Sequence, residues 1–167
     1  VALLLSFSVL LIGVFDLLPA TNIYNQSDMA LHFSILLDYA KFAFIINLIR
    51  EIIKDLEDYQ GDHAQGMRTL AIVLGKEKTA KLCFVLLLLP ILYLLYYTTT
   101  NLLVYNLIYA ILYMLIAVIA PLVFCLIKTW NAKEKSDFKL ISSVLKWVVF
   151  FGIVSITVIT LNVKHNV

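Results

Sequence analysis

The sequence predicts an all-α fold, a polytopic transmembrane helical bundle of about five spans. Mean hydropathy is +0.95, with 62% hydrophobic and only 14% charged residues, which lies outside the range of a soluble domain. The apolar residues also fall in long runs separated by short polar links, and each run is long enough to cross or nearly cross a ~30 Å hydrocarbon layer. The charge is unevenly spent: five of the eleven carboxylates lie between Glu51 and Asp62.

In chain order, the expected spans are residues 1–19, 33–50, 82–97, 104–127 and 140–162, the third beginning as early as Thr79. Pro90 and Pro121 fall inside spans, where neighbouring helices can satisfy freed backbone groups. Orientation follows from Lys and Arg. Arg50, Lys54, Arg68, Lys76, Lys78 and Lys81 flank one side of the membrane, together with Lys128, Lys133, Lys135 and Lys139, whereas the links near 20–32 and 98–103 carry no Lys or Arg. The basic side is read as cytoplasmic. Lys146, one turn inside the last span, can snorkel back to that interface.

Residues 1–167 read as a single membrane domain, with 51–81 as a cytoplasmic motif loop containing Gly61, Gly66 and Gly75. An apolar run starts at Val1 with no initiator Met, so the expectation is an N-terminally truncated chain. The net charge of +2 is accounted for by topology and points to no nucleic-acid partner. Cys83 and Cys125 sit in apolar helices and suggest neither a disulfide framework nor zinc.

If the second span continues helically, 100° per residue places Asn47, Glu51, Asp55, Asp58 and Asp62 within an arc of about 80°. Arg50 and Lys54 flank that face, and Gly61 is expected to end or distort the helix before Asp62. Carboxylates at spacings of three and four can direct hard oxygens into one volume, which suits Mg²⁺. That ion keeps few protein ligands and takes the rest from water and phosphate, so the pattern predicts a phosphate-bearing ligand, with Arg50, Lys54 and Arg68 as counter-charges. The plainer alternative is a solvated helix exit, with Lys54 in ordinary surface pairs with Glu51 or Asp58. Asn47 is a possible substrate contact. Asp16, and Asp38 with Lys41, are read as interfacial or paired structural groups, and the tyrosines at 105, 109 and 113 as an aromatic belt or packing face.

The run Arg50-Glu51-x-x-Lys54-Asp55-x-x-Asp58-x-x-Gly61-Asp62-x-x-x-Gly66-x-Arg68-Thr69-Leu70, followed by Leu74-Gly75, resembles the second aspartate-rich motif of the UbiA superfamily of intramembrane prenyltransferases. The resemblance implies a nine-helix fold of which this chain carries the last five helices. No Asn-x-x-x-Asp or Asp-x-x-x-Asp precedes residue 50, so the family's first metal-binding motif is missing, which implies that a truncated fragment is inactive by itself. It further implies transfer of a polyprenyl group from a prenyl diphosphate to a lipid or aromatic acceptor. Asp58, Asp62 and Asp55 would be catalytic Mg²⁺ ligands, and Lys54, Arg68 and Arg50 would hold the diphosphate. The wording of the motif is most similar to the branch acting on a prenylated glycerol phosphate in ether-lipid synthesis. Quinone-precursor, haem and chlorophyll prenyltransferases are the alternatives within the family. A cation channel or transporter fragment is the non-enzymatic alternative, and a CDP-alcohol phosphotransferase is strongly disfavoured by the absence of Asp-Gly-x-x-Ala-Arg. The expected location is the lipid bilayer of the cell or plasma membrane, with the acidic motif facing the cytoplasm.

Overall fold

A computed structural model describes residues 26–166 and positions 4, 7, 8, 11, 14, 15, 17, 19 and 21. Most of the first expected span, including Asp16, lies outside the described residues. Helix α1 is Gln26–Glu57, followed by α2 (Tyr59–Ala64), α3 (Leu70–Leu74), α4 (Lys76–Tyr97), α5 (Ile108–Tyr113), α6 (Ala120–Asn131) and α7 (Lys135–Asn166). No strand occurs among the described residues. Three helical rods, Lys76–Leu102, Ile108–Asn131 and Lys135–Lys164, are long and apolar enough to cross a membrane. The chain forms two compact units, Val1–Leu48 and Ile49–Val167. In the first, Lys41 Nζ lies 3.1 Å from Asp38 Oδ1, the structural pair expected from their spacing.

The second unit is built on three stripes of buried side chains. Thr79, Cys83, Leu87, Ile91 and Leu94 recur every three or four residues on α4, so they share one face. Ala110, Met114, Val118, Leu122 and Cys125 continue such a stripe from α5 into α6, and Phe138, Ile141, Leu145 and Val148 form the third on α7. Accordingly α4 packs on α6, α6 on α7 and α5 on α7. The opposite faces expose Val85, Leu89, Ile116, Ile127 and Ile153, as helices facing lipid tails do.

The rods differ from the expected spans at their ends. The third extends to Leu102, because Thr98–Leu102 forms a π-helical turn rather than a loop. The Thr98 hydroxyl donates to Leu94 O at 2.7 Å, and those of Thr99 and Thr100 both donate to Tyr96 O, so a polar run that resembles a link satisfies itself on the helix. The fourth begins at Ile108, four residues later than expected, after Asn106 takes a positive φ of 52°. A second π-helical stretch, Met114–Ile119, lies within this rod and ends two residues before Pro121. A proline there supplies no N–H to the carbonyl four residues back, and one residue of slack relieves the register.

Two buried polar contacts tie α5 to α7. Asn162 Oδ1 accepts the Ala110 backbone N–H at 3.0 Å, and the Tyr113 hydroxyl donates to Phe151 O at 2.9 Å. Tyr113 therefore serves packing, whereas Tyr105 and Tyr109 are exposed. Replacing Asn162 with Leu leaves an N–H near a helix start without its acceptor. Interhelical hydrogen bonds within membranes average under about 1 kcal/mol, while a stranded buried donor costs about 1–3 kcal/mol. A destabilisation of about 1 kcal/mol is expected, read by denaturant titration in mixed micelles.

Candidate functional site

The acidic run sits where α1 gives way to α2. Asp58 is the joint, with φ −95° and ψ 8°, yet the hydrogen-bond ladder passes through it: its N–H donates to Lys54 O at 2.9 Å and its carbonyl accepts the Asp62 N–H at 3.0 Å. The helix therefore bends without ending and keeps Asp55, Asp58 and Asp62 on successive turns. Gly61 lies inside α2, so the expected break there is corrected. The stop falls at Gly66, whose φ of +68° is the left-handed conformation glycine tolerates best. Gly66 N–H donates to His63 O and Met67 N–H to Asp62 O, the paired bonds of a Schellman end. The two glycines differ because only the second has left the helical register.

From that stop the chain turns through Arg68 and Thr69 into α3, then through Gly75, at φ +82°, into α4. The break expected before Lys76 is thus observed. Thr69 is the N-cap of α3, but its side chain makes no capping bond. The Leu70 backbone N–H favours the ionised form of the Asp55 carboxyl.

Electrostatically the carboxylates crowd one another. Burial pushes the Asp55 carboxyl above its ordinary range, the Asp62 charge pushes it further, and Glu51 and Asp58 add to this; the Leu70 N–H opposes them. Asp55 thus binds its proton more tightly folded than unfolded. Its contribution to stability is fully present below the ordinary carboxylate value and is lost as pH rises through the raised one. Asp55→Asn keeps an acceptor for Leu70 and removes the repulsion. The variant is expected to be more stable than the parent at neutral pH without divalent cations, by less than about 1 kcal/mol because the group is half open to water, with the difference vanishing in acid. Melting curves between pH 3 and 8 check the sign.

The cations are not spent on these carboxylates. Among the described residues Arg50, Lys54 and Arg68 make no ion pair, so the surface pairs of the plainer reading are not found. Asp58 pairs instead with Lys135, Oδ1 to Nζ 3.3 Å, at the start of α7. Both partners are more than half exposed, so this pair is worth little and releases easily. Lys54 and Arg68 are exposed, and Arg50 is half-buried. Two buried side-chain atoms among the described residues lack any hydrogen-bond partner, Arg50 Nε and Thr69 Oγ1, and both belong to the motif. Asn47 is buried, but its amide donates to Ala43 O at 2.9 Å, back onto its own helix.

The donors are hard oxygens, crowded together and opposed only by the exposed Lys135 at Asp58, and that fits Mg²⁺. No three His, Cys, Asp or Glu residues are gathered into a ready-made metal cage among the described residues. The protein offers carboxylates on adjacent turns and leaves positions to be filled by water and ligand oxygens, as Mg²⁺ sites bound through phosphate do. Sequence reasoning missed Lys135, which is 77 residues from Asp58 and carries no local signal. It also missed Lys76, whose Nζ lies 4.7 Å from the Tyr59 ring centroid.

Residues 32–151, more than half of the chain, match the UbiA prenyltransferase family. The chain belongs to that family. This UbiA-family chain is 39% identical over 88 residues to the digeranylgeranylglyceryl phosphate synthase of Methanosphaera stadtmanae, a match covering 50% of this chain and 28% of the relative. It is 36% identical over 83 residues to the enzyme of that name from Korarchaeum cryptofilum, covering 50% and 26%. Identity rises to 55% over 38 residues with that of Pyrococcus furiosus, covering 23% and 14%. The chain thus matches less than a third of the length of these curated relatives. No solved structure matches it. A helical membrane fold is what the family and the three apolar rods agree on.

Proposed function

We propose that this UbiA-family chain carries the diphosphate-binding part of an intramembrane prenyltransferase, which moves a prenyl group from its diphosphate to a prenylated glycerol phosphate. The acceptor class follows from the names of the relatives, digeranylgeranylglyceryl phosphate synthases. The observation that carries the reading is the unpartnered state of the motif: Arg50 Nε and Thr69 Oγ1 buried without partners, and Lys54 and Arg68 in no ion pair, beside carboxylates that repel one another. Native structures leave buried polar atoms unsatisfied where a ligand completes them.

In this reading Asp58 and Asp62 hold Mg²⁺, with Asp55 behind them. The ion supplies neutralisation of the diphosphate charge that grows as the allylic C–O bond ionises. Arg50, Lys54 and Arg68 grip the diphosphate oxygens directly, the two guanidiniums offering forked donors. Lys135 gives up Asp58 at little cost when ligand arrives. The apolar rods accommodate the prenyl chain and exclude water that would quench an allylic cation. The protein is an integral membrane protein of the cell membrane, and its motif faces the cytoplasm because Lys and Arg gather on that side.

The test is binding of geranylgeranyl diphosphate to the chain in lipid nanodiscs, with Mg²⁺ or with chelator. Binding that requires Mg²⁺ and competes with inorganic diphosphate supports the reading; binding indifferent to both contradicts it.

A further inference from the structure

A cavity of about 640 Å³ opens between the start of α4, the end of α6, the turn at Ala132–Lys133 and the start of α7. None of the aspartates of the motif lines it. Lys76, Lys81 and Lys133 line it, opposed by the single carboxylate of Glu77, which is held by Lys81 at 2.8 Å. The first turn of the 22-residue α4 adds the positive end of its dipole. Phe84 and Trp130 form an aromatic part of the wall, their ring centroids 5.0 Å apart at 59°. Trp130 is 65% exposed, as an indole at a membrane interface is. From Lys81 the exposed residues Val85 and Leu89 continue along α4, and from Trp130 the exposed Ile127 and Phe124 continue along α6. Each step is three or four residues, so apolar tracks lead from the charged mouth into the depth of the bilayer.

We propose that this cavity seats the phosphate headgroup of an anionic membrane phospholipid, its acyl or isoprenoid tails lying along the two tracks. Charge complementarity selects the anion, since basic pockets between membrane helices recognise anionic headgroups. The tracks select a lipid over free phosphate, because a soluble anion makes no use of them. The assignment is independent of the prenyltransferase reading and uses none of its residues. Lys76 bridges the two regions, since its ammonium also rests on the Tyr59 ring between Asp58 and Asp62.

The probe is a brominated phosphatidylglycerol, which quenches nearby indoles. In a Trp147→Phe background, Trp130 is the sole tryptophan. In nanodiscs, brominated phosphatidylglycerol is expected to quench Trp130 several-fold more than brominated phosphatidylcholine at equal mole fraction. Raising salt should erode that preference, and K81Q/K133Q should abolish it while K81R/K133R retains it. The salt series on the unaltered lysines decides the matter even if the glutamine variant fails to fold. Equal quenching by the two lipids, a preference that survives high salt, or displacement by glycerol phosphate in solution overturns the proposal.

Discussion

Asp62→Ala is expected to lower Mg²⁺-dependent prenyl diphosphate binding by about 10–10²-fold, the size of loss expected when a contact with a charged group is removed. Asp58→Ala should lose several-fold less. The difference arises from Lys135, whose ammonium stands 3.3 Å from Asp58 and is freed when that carboxylate goes. A liberated cation attracts the diphosphate and offsets part of the loss, and no such partner is paired with Asp62 among the described residues. Asp58→Ala combined with Lys135→Ala should therefore restore the full loss, a non-additivity that a double-mutant cycle reads directly. Additive losses would remove Lys135 from the site.

The second large effect separates two glycines five residues apart. Gly66→Val is expected to cost at least about 1–2 kcal/mol, because a β-branched residue must adopt φ +68°. Nothing lies within 4 Å of an added Cβ there, so the cost is one of backbone strain and not of collision. The strain falls on the turn that carries Arg68, so diphosphate affinity should drop with stability. Gly61→Ala, also with open space around the added carbon but inside α2, should instead stabilise by about 0.5–1 kcal/mol. Thermal melts and binding isotherms of the two variants read the contrast; a destabilising Gly61→Ala would restore Gly61 as the helix end.

What the sequence revealed of the fold depended on how local the physics was. Apolar runs announce membrane rods because burial in lipid depends on composition over twenty residues, and the rods from Lys76, Ile108 and Lys135 fall near where hydropathy places them. Their ends were harder to read. Thr98–Asn101 is polar and looks like a link, but hydroxyls that bond to carbonyls one turn back keep it helical. The choice between Gly61 and Gly66 as the helix stop depends on φ, which two identical residue types do not disclose.

For the site, the stripe of aspartates was legible because spacings of three and four repeat on one helix. The α1–α2 junction preserves that spacing by keeping its hydrogen bonds through Asp58. Asp55 was assigned a metal-facing part, and the structure adds the influence of the Leu70 N–H on its carboxyl, which comes from a chain reversal that spacing along one helix does not describe. Lys135 reaches Asp58 only because α7 begins beside the α1–α2 joint, a fact of tertiary packing. Asn47 shares the helix with the stripe, yet its amide is engaged by Ala43 O, so the helical wheel located the residue without disclosing its bond.

The central claim is that Asp58 and Asp62 join a divalent cation to a diphosphate. Phosphorus-31 relaxation tests it most directly, with Mn²⁺ in place of Mg²⁺ and geranylgeranyl diphosphate bound to the chain in nanodiscs. Strong paramagnetic relaxation of both phosphorus nuclei is predicted for the parent, and its loss in D58N/D62N. Diphosphate that binds without relaxation enhancement, or enhancement undiminished in the double variant, would contradict the account.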